Sequence, residues 1–492
     1  MSVRIGAWCY LDGAVLVTIL TVAEVVYVVV LSTWILLEKR SPIATLAWIL
    51  ALIALPYVGL VVYFFLGPRR LQRRRLKMRH ARGKSRAEHA EFMPPSPSSR
   101  DRELAKDPRV SQLERLAIEC GEGPVDPCED VEIFLDAKTT YDAIERAIAE
   151  ATHHIHVAYY IFDSGRIGTR LAAALMARAR AGITVRLLLD HVGSSAMSGA
   201  MLRALRESGV KVAFFHPVRF SRIRRRMDFR NHRKIIVTDG RVGFTGGINV
   251  CDDYLPDERG ARSLPWRDTH VRLKGDAVRW LQLTFLDDWH YATRYATRDP
   301  EYFPALSGKG NHRVQIVASG PDRETFPIKN MYFASIAMAE KRVLVTTPYF
   351  VPEDAISLAL ITAALRGVDV RVLVPRRTDS FVVTAAARSY YDGILAAGAR
   401  VFEYEPTMIH AKTLVVDDFF ATVGTANMDP RSFRLNFEVM AVLYGKAHAE
   451  TLAAAFDRDL AHAKEVTKAT RERNPLGWRV AEAGARLMSP IL

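Results

Sequence analysis

One stretch of this chain occurs twice at identical spacing, and it restricts the fold more than any other feature. Residues 232–249 read HRKIIVTDGRVGFTGGIN and residues 410–427 read HAKTLVVDDFFATVGTAN. In each, His is followed by Lys two residues on, Asp five after the Lys, Gly seven after the Asp and Asn three after the Gly. The surrounding sequence repeats as well. Ile155–Phe162 (IHVAYYIF) answers Val343–Phe350 (VLVTTPYF), and Gly182–Leu189 (GITVRLLL) answers Gly367–Val374 (GVDVRVLV). Ser208–Val212 matches Ala397–Val401, and the helical patterns around Phe285–Trp289 and Phe456–Leu460 close the two halves. Apolar β-rich runs alternating with Ala- and Leu-rich helical patterns predict an α/β fold. A repeat this long is a duplicated domain, since solenoid units are far shorter. The halves are read as domains at 131–300 and 301–465.

The repeated residues suit one chemistry. Alternation along an extended segment puts His232 and Lys234 on one face, and likewise His410 and Lys412. The Gly-Gly and Gly-Thr pairs are expected to turn the chain so that Asn249 and Asn427 come back beside them. An imidazole, a fixed cation and an amide fit a tetrahedral phosphate, with Lys and Asn on its non-bridging oxygens. Two halves supply two imidazoles, one to attack phosphorus and form a phosphohistidine, the other to protonate the leaving alkoxide. No metal or other cofactor is required. A nucleophilic imidazole needs a carboxylate on its other nitrogen. Asp239 and Asp417 lie seven residues past each His, on the opposite face by parity, and are expected to brace the fold. Aligning Asp268–Leu273 with Glu438–Leu443 puts Asp268 and Glu438 in equivalent places, as the pair that orients the histidines.

The N-terminal region belongs to a different environment. Gly13–Leu37 is apolar except for Glu24, and 25 residues are enough to cross a bilayer. A second apolar run, 43–66, carries no charge and contains Pro56. With Glu38-Lys39-Arg40-Ser41-Pro42 between them, residues 1–67 are predicted to form a two-span hairpin rather than a cleaved signal peptide. Residues 69–86 then hold ten Arg or Lys and no acid, which by the positive-inside rule leaves the rest of the chain in the cytoplasm. That run is either a topology signal or an adhesion site for anionic headgroups. Residues 68–130 read as a basic juxtamembrane segment and linker, with one short helix around Val110–Cys120. The formal net charge of +14 points to polyanionic partners. Four scattered cysteines, without CxxC spacing, suit a reducing compartment.

The duplicated pattern resembles the signature of the phospholipase D superfamily, HxKxxxxD followed by GxxN, over about residues 131–465. The resemblance implies two similar α/β domains related by a pseudo-twofold axis, with a single active site at their interface. It implies catalytic roles for His232, Lys234, Asp239, His410, Lys412 and Asp417, with phosphate bound by Lys234, Asn249, Lys412 and Asn427. Its usual assignment makes His232 the nucleophile and His410 the acid/base. Gly247 and Thr425 stand where the superfamily more often has Ser. Within it the chain most resembles the bacterial cardiolipin synthases, in residues 41–67, FTGGIN (244–249), WRDTHVRLKG (266–275), TPYFVPED (347–354) and NMDPRSFRLNFE (427–438). That likeness implies a multi-pass protein of the bacterial inner membrane. Its reaction would transfer a phosphatidyl group between two phosphatidylglycerol molecules, giving cardiolipin and glycerol.

Three rivals accompany this expectation. Water in place of the acceptor alcohol would make a phospholipase D that forms phosphatidic acid. The run SRIRRRMDFRNHRK, 221–234, suggests a nuclease, but two spans argue against nucleic acid as a partner. Arg222, Arg224, Arg225 and Arg226 are instead expected to meet anionic lipid or solvent. A catalytically dead scaffold is opposed by the intact His, Lys and Asn of both halves. The tail, 466–492, is amphipathic, with Trp478, Val480, Leu487, Met488 and Ile491, and can lie on a membrane or pack on the catalytic part. The sequence sets no oligomeric state.

Overall fold

The computed structural model describes residues 13–37, 42–55, 69–93, 107–216, 229–256 and 264–489. It divides into two compact units, residues 1–77 and 78–492. In the first unit, the helix Gly13–Leu37 contains a stretch, Val17–Leu37, long and apolar enough to cross a membrane. The helix Pro42–Ala54 packs against it through Leu52 on Ile35, with Leu31, Trp48 and Ile49 around them. At 13 residues this second helix is about 20 Å long at 1.5 Å per residue, short of the ~30 Å hydrocarbon layer. The second span expected at 43–66 is therefore not established by this helix, and residues 56–66 lie outside the described ones.

The second unit is built on one continuous mixed sheet. Its strands in chain order are β1 (Asp126–Phe134), β2 (His154–Tyr159), β3 (Thr184–Asp190), β4 (Lys211–Phe215), β5 (Arg230–Asn231), β6 (Ile235–Thr238), β7 (Val242–Gly246), β8 (His270–Gly275), β9 (His312–Ser319), β10 (Arg342–Thr346), β11 (Asp369–Pro375), β12 (Arg400–Tyr404), β13 (Thr413–Val416), β14 (Phe420–Gly424), β15 (Asn436–Tyr444) and β16 (Ala463–Val466). Across the sheet they run β16-β12-β11-β10-β13-β14-β15-β9-β1-β8-β7-β6-β2-β3-β4. Read outward from the β1–β9 junction, each half repeats the other: β1-β8-β7-β6-β2-β3-β4 against β9-β15-β14-β13-β10-β11-β12. In both, three parallel strands joined by helices adjoin an antiparallel meander. The pseudo-twofold axis passes between β1 and β9, whose antiparallel pairing joins Asp126–Cys128 to Val314–His312.

The parallel strands are near-continuous apolar runs because helices cover them. The first half centres on Ile155, Val157, Leu187, Leu189, Ile236 and Phe244, and the second on Val343, Val345, Val372, Leu414, Val416 and Val442. The short helix expected near Val110–Cys120 is Pro108–Glu119, begun by the Asp107 side chain accepting from Arg109 N. It buries Val110, Leu113 and Ala117 in the core of the second half, so this stretch belongs to the folded unit. The sheet likewise begins at Asp126, ahead of the boundary read at 131.

The basic run forms the helix Arg69–Glu88. Within the second unit, Arg86 donates to Asp287 (2.8 Å), and Arg82 stands within 4 Å of Glu122, Asp287 and Asp322. Buried carboxylates draw these cations inward, so this part of the run is not available to lipid headgroups. The tail also joins the folded unit. Its helix Leu476–Arg486 packs on Phe381–Arg388, with Trp478 against Phe381 at 5.6 Å between ring centres and Arg471 bridging Glu482 and Asp392. Leu476, Val480 and Leu487 stay exposed.

Asp417 ties two elements together. Its carboxylate accepts the backbone N–H groups of Glu340, Lys341 and Arg342 at 2.8–2.9 Å, where β10 begins. Asp417→Ala should lower the unfolding free energy by about 2–4 kcal/mol, because several buried donors lose their acceptor at once. The shift in a denaturant or thermal melt checks this, with Asp417→Asn, which keeps one oxygen acceptor, falling between wild type and Ala.

Candidate active site

Each copy of the repeated motif folds as a β-hairpin. Ile235 pairs with Thr245 and Thr238 with Val242 in the first, Thr413 with Val423 and Val416 with Phe420 in the second. The reversal falls on the motif's aspartate. Asp239 has φ 52°, Gly240 φ 62° and Asp417 φ 51°, the left-handed backbone that a tight hairpin needs. The sequence places this turn at the glycine pairs, but the glycines lie at the end of the returning strand. His232 and Lys234 sit in the extended segment just ahead of β6, and Asn249 just beyond β7, so the hairpin brings its two open ends together. His410, Lys412 and Asn427 are placed the same way around β13 and β14.

Asp239 does for the first half what Asp417 does for the second. It accepts from Thr152 N (2.7 Å), His153 N (2.8 Å) and His154 N (2.9 Å) at the start of β2. Burial opposes its charge, but these hydrogen bonds outweigh that and hold its pKa below the ordinary carboxylate value. Neither aspartate lines the cleft that the histidines face. Both brace the start of a neighbouring strand, because a side chain at the turn points away from the open end of its hairpin.

The histidines are held by the opposite halves. β5 pairs in parallel with the start of β15, and His232 N donates to Phe437 O at 2.9 Å. In the mirror position, His410 N donates to Arg267 O at 2.7 Å. The residue after each acceptor is the carboxylate. His232 Nδ1 lies 3.0 Å from Glu438 Oε2, and His410 Nδ1 lies 2.7 Å from Asp268 Oδ2. Nδ1–H donating to a carboxylate leaves the Nε2 lone pair free.

The carboxylates are themselves fixed. Thr425 Oγ1 donates to Glu438 Oε2 (2.5 Å) and Asn436 Nδ2 to Oε1 (3.2 Å), while Thr269 N donates to Asp268 Oδ1 (2.7 Å). Gly247 occupies the position equivalent to Thr425, and a Cβ there would stand 2.1 Å from Asp268 Oδ1. The Ser-like position thus serves the carboxylate in one half and makes room for it in the other. Tyr254 OH adds a contact to His410 Nδ1 at 2.9 Å.

Four ionisable groups are buried together here: Lys234 and Lys412 with Asp268 and Glu438. Lys234 Nζ donates to His232 O (2.9 Å), and Lys412 Nζ donates to His410 O. Burial, and then the charge of Lys412, lowers the Lys234 pKa to about 7; burial lowers that of Lys412 to about 8. Burial also makes the imidazoles poor proton acceptors, His232 at about 4 and His410 at about 3, so both are neutral at neutral pH. Burial works against the Asp268 charge, but Lys412 and His410 outweigh it and bring its pKa to about 2. Two lysines and two carboxylates thus balance one another beside two neutral imidazoles.

His232, Asn249, His410 and Asn427 line one cleft of about 580 Å³. Ile161 N donates to Asn249 Oδ1 (3.3 Å), and the Asn249 side chain also hydrogen-bonds the Tyr254 hydroxyl. Sequence reasoning missed several wall residues. Tyr160 meets His232 edge-on at 4.9 Å and Trp266 lies 5.4 Å from His410, ring centre to ring centre. Arg230 and Arg431 also line the cleft. The signal for Arg230 was its place two residues before His232, which parity sends to the same face. Arg222, Arg224, Arg225 and Arg226 lie outside the described residues.

Known proteins resemble this chain in sequence and in fold. A family model described as cardiolipin synthase, PLD-like domain, matches residues 144–258 and 332–460, once in each half. A second, described as phospholipase D-nuclease N-terminal, matches residues 25–68. The chain is 42% identical over 458 residues to a cardiolipin synthase of Geobacillus kaustophilus, covering 93% of this chain and 90% of that one. It is 40% identical over 485 residues to a cardiolipin synthase of Geobacillus thermodenitrificans, covering 98% and 95%. The crystal structure of a phosphatidylserine synthase from Haemophilus influenzae has the same fold, with a TM-score of 0.57 at 14% identity over 77% of this chain and 100% of that one. With one family match on each half and relatives alike over at least 90% of both chains, this protein belongs to the cardiolipin synthase family of phospholipase D-like proteins.

Proposed function

We propose that this protein is a membrane-bound phosphatidyltransferase that joins two phosphatidylglycerol molecules into cardiolipin and releases glycerol. The observation that carries the chemistry is the pair of crosswise His–carboxylate hydrogen bonds facing one cleft. The substrate follows from the family.

His232 Nε2 attacks the phosphorus of the first phosphatidylglycerol, its Nδ1–H held by Glu438. A P–N bond forms, and the P–O bond to the headgroup glycerol breaks. The negative charge of the bound phosphodiester raises the pKa of the nearby imidazoles, so His410 can carry the proton that the leaving oxygen takes from its Nε2. The free glycerol hydroxyl of the second phosphatidylglycerol then gives its proton to His410. That oxygen attacks phosphorus and the P–N bond breaks. One phosphodiester is exchanged for another, so the net change is a swap of alcohols. Lys234, Lys412, Asn249 and Asn427 hold the non-bridging oxygens as charge builds on them. Asp268 and Glu438 orient the two imidazoles. Two membrane spans, at about 13–37 and 43–66, would anchor this unit at the cytoplasmic face of the bacterial inner membrane. The family match at 25–68 and the basic residues after it support that topology.

Purified protein in phosphatidylglycerol vesicles should yield cardiolipin and glycerol in equal amounts; phosphatidic acid without cardiolipin would sink the transfer reaction. Glu438→Gln and Asp268→Asn should each lower kcat by ~10²- to 10⁴-fold, the scale of losing an oriented acid/base, with little change in KM. The pH profile has a distinct sign. Because Lys234 and Lys412 bind phosphate as cations, kcat/KM should fall as pH rises through about 7 to 8. Stability should move the other way. Unfolded lysines keep their protons up to the ordinary 10.5, so the unfolded chain binds more protons between those limits and the fold gains stability with rising pH. Melts and kinetics over that window would separate the two trends.

A further inference from the structure

The cleft holds a cation that the reacting phosphorus does not account for. Arg230 is 2% exposed and lines the cleft with His232. Its Nε, Nη1 and Nη2 have no hydrogen-bond partner among the described residues. Asp190, the carboxylate paired with it, stands 3.8 Å from Nη1, too far for a hydrogen bond. That carboxylate instead accepts backbone N–H groups of Val192, Gly193 and Asn231. A buried guanidinium with unused donors is unfavourable unless an anion completes it, and its planar fork matches phosphate oxygens.

Arg431 lines the same cleft. Burial holds its pKa below the ordinary arginine value against the attraction of Tyr160 and Asp429, and Arg230 is near enough to add a smaller lowering. Asp379 accepts from Tyr349 OH, while Asp429 caps the helix Pro430–Arg434 through Ser432 N and attracts Arg431. The duplication does not repeat this pair. Two residues before His410 stands Met408, and four residues after Asn249 stands Asp253. Every group proposed for the reaction centre is doubled across the pseudo-twofold axis, whereas this cation pair occurs once.

A symmetric centre serves one phosphorus. Joining two phosphatidylglycerols brings a second phosphodiester into the cleft, the one that the acceptor already carries. We propose that Arg230, with Arg431 beside it, forms a second phosphate subsite that holds the acceptor's own, non-reacting phosphodiester while its glycerol hydroxyl attacks the phosphohistidine. This rests on the transfer reaction proposed above. The subsite selects a phosphoglycerol acceptor over water or a neutral alcohol, because only the former satisfies the buried guanidinium.

The test is a product ratio. Full-length enzyme in mixed micelles of phosphatidylglycerol and neutral detergent is given 1-butanol as a competing acceptor, and cardiolipin and phosphatidylbutanol are measured together. Arg230→Gln should lower the cardiolipin to phosphatidylbutanol ratio at least about tenfold, and Arg230→Lys, which keeps charge without the fork, by less. In wild-type enzyme, where folding is not in question, inorganic phosphate should lower the same ratio by occupying the subsite. An unchanged ratio in these arms, with both products falling together or neither falling, overturns the subsite. Wild-type enzyme that makes phosphatidylbutanol but no cardiolipin overturns it too. If neither product forms, the transfer reaction itself fails and takes the subsite with it.

Discussion

The site depends on one interaction made twice, a histidine Nδ1 against a carboxylate from the opposite half. His232 with Glu438 and His410 with Asp268 span 206 and 142 residues of chain. Each is prepared by a backbone hydrogen bond one residue earlier, from His N to the carbonyl of Phe437 or Arg267. Main-chain pairing thus sets the distance, and the side chains have little freedom left to lose. Neither half can hold its own histidine in this way, which is a physical reason for a duplicated domain to keep both copies in one chain.

The shared sheet makes that exchange possible. Pairing β9 to β1 turns two similar halves into one slab with a pseudo-twofold axis at its centre, and places β8 and β15 on either side of it. The carboxylate strands are therefore next to the axis and reach across. Burial does the rest. Lys234, Lys412, Asp268 and Glu438 are each about 1% exposed or less, where an unpaired charge would be costly and four balanced ones are tolerated. The same burial keeps the imidazoles neutral and pulls the lysines toward neutral pH.

Much of the arrangement was legible without coordinates, and the failures share a cause. The duplication, the α/β alternation and the equivalence of Asp268 with Glu438 all follow from register, which spacing records directly. Which carboxylate would meet which histidine does not, because parity and periodicity describe one strand at a time. The turn was assigned to the glycine pairs on conformational freedom alone, yet Asp239 and Asp417 adopt positive φ at the hairpin tip and hold the start of a neighbouring strand. The basic run looked uniform, but Arg82 and Arg86 face buried acids that lie more than 30 residues away in the chain.

By itself, the sequence determined a duplicated α/β chain with an apolar N-terminal segment and two His-Lys-Asn sets at matched positions. These are properties of local pattern and repetition, and they survive in one dimension. Only the tertiary structure decided that the halves share a sheet, that the histidines are held crosswise, and that the motif aspartates brace strands outside the cleft. Only it showed Arg230 buried in the cleft wall with its donors unused. Each of those depends on packing between distant segments, where burial and the supply of partners, rather than residue type, set what a side chain can do.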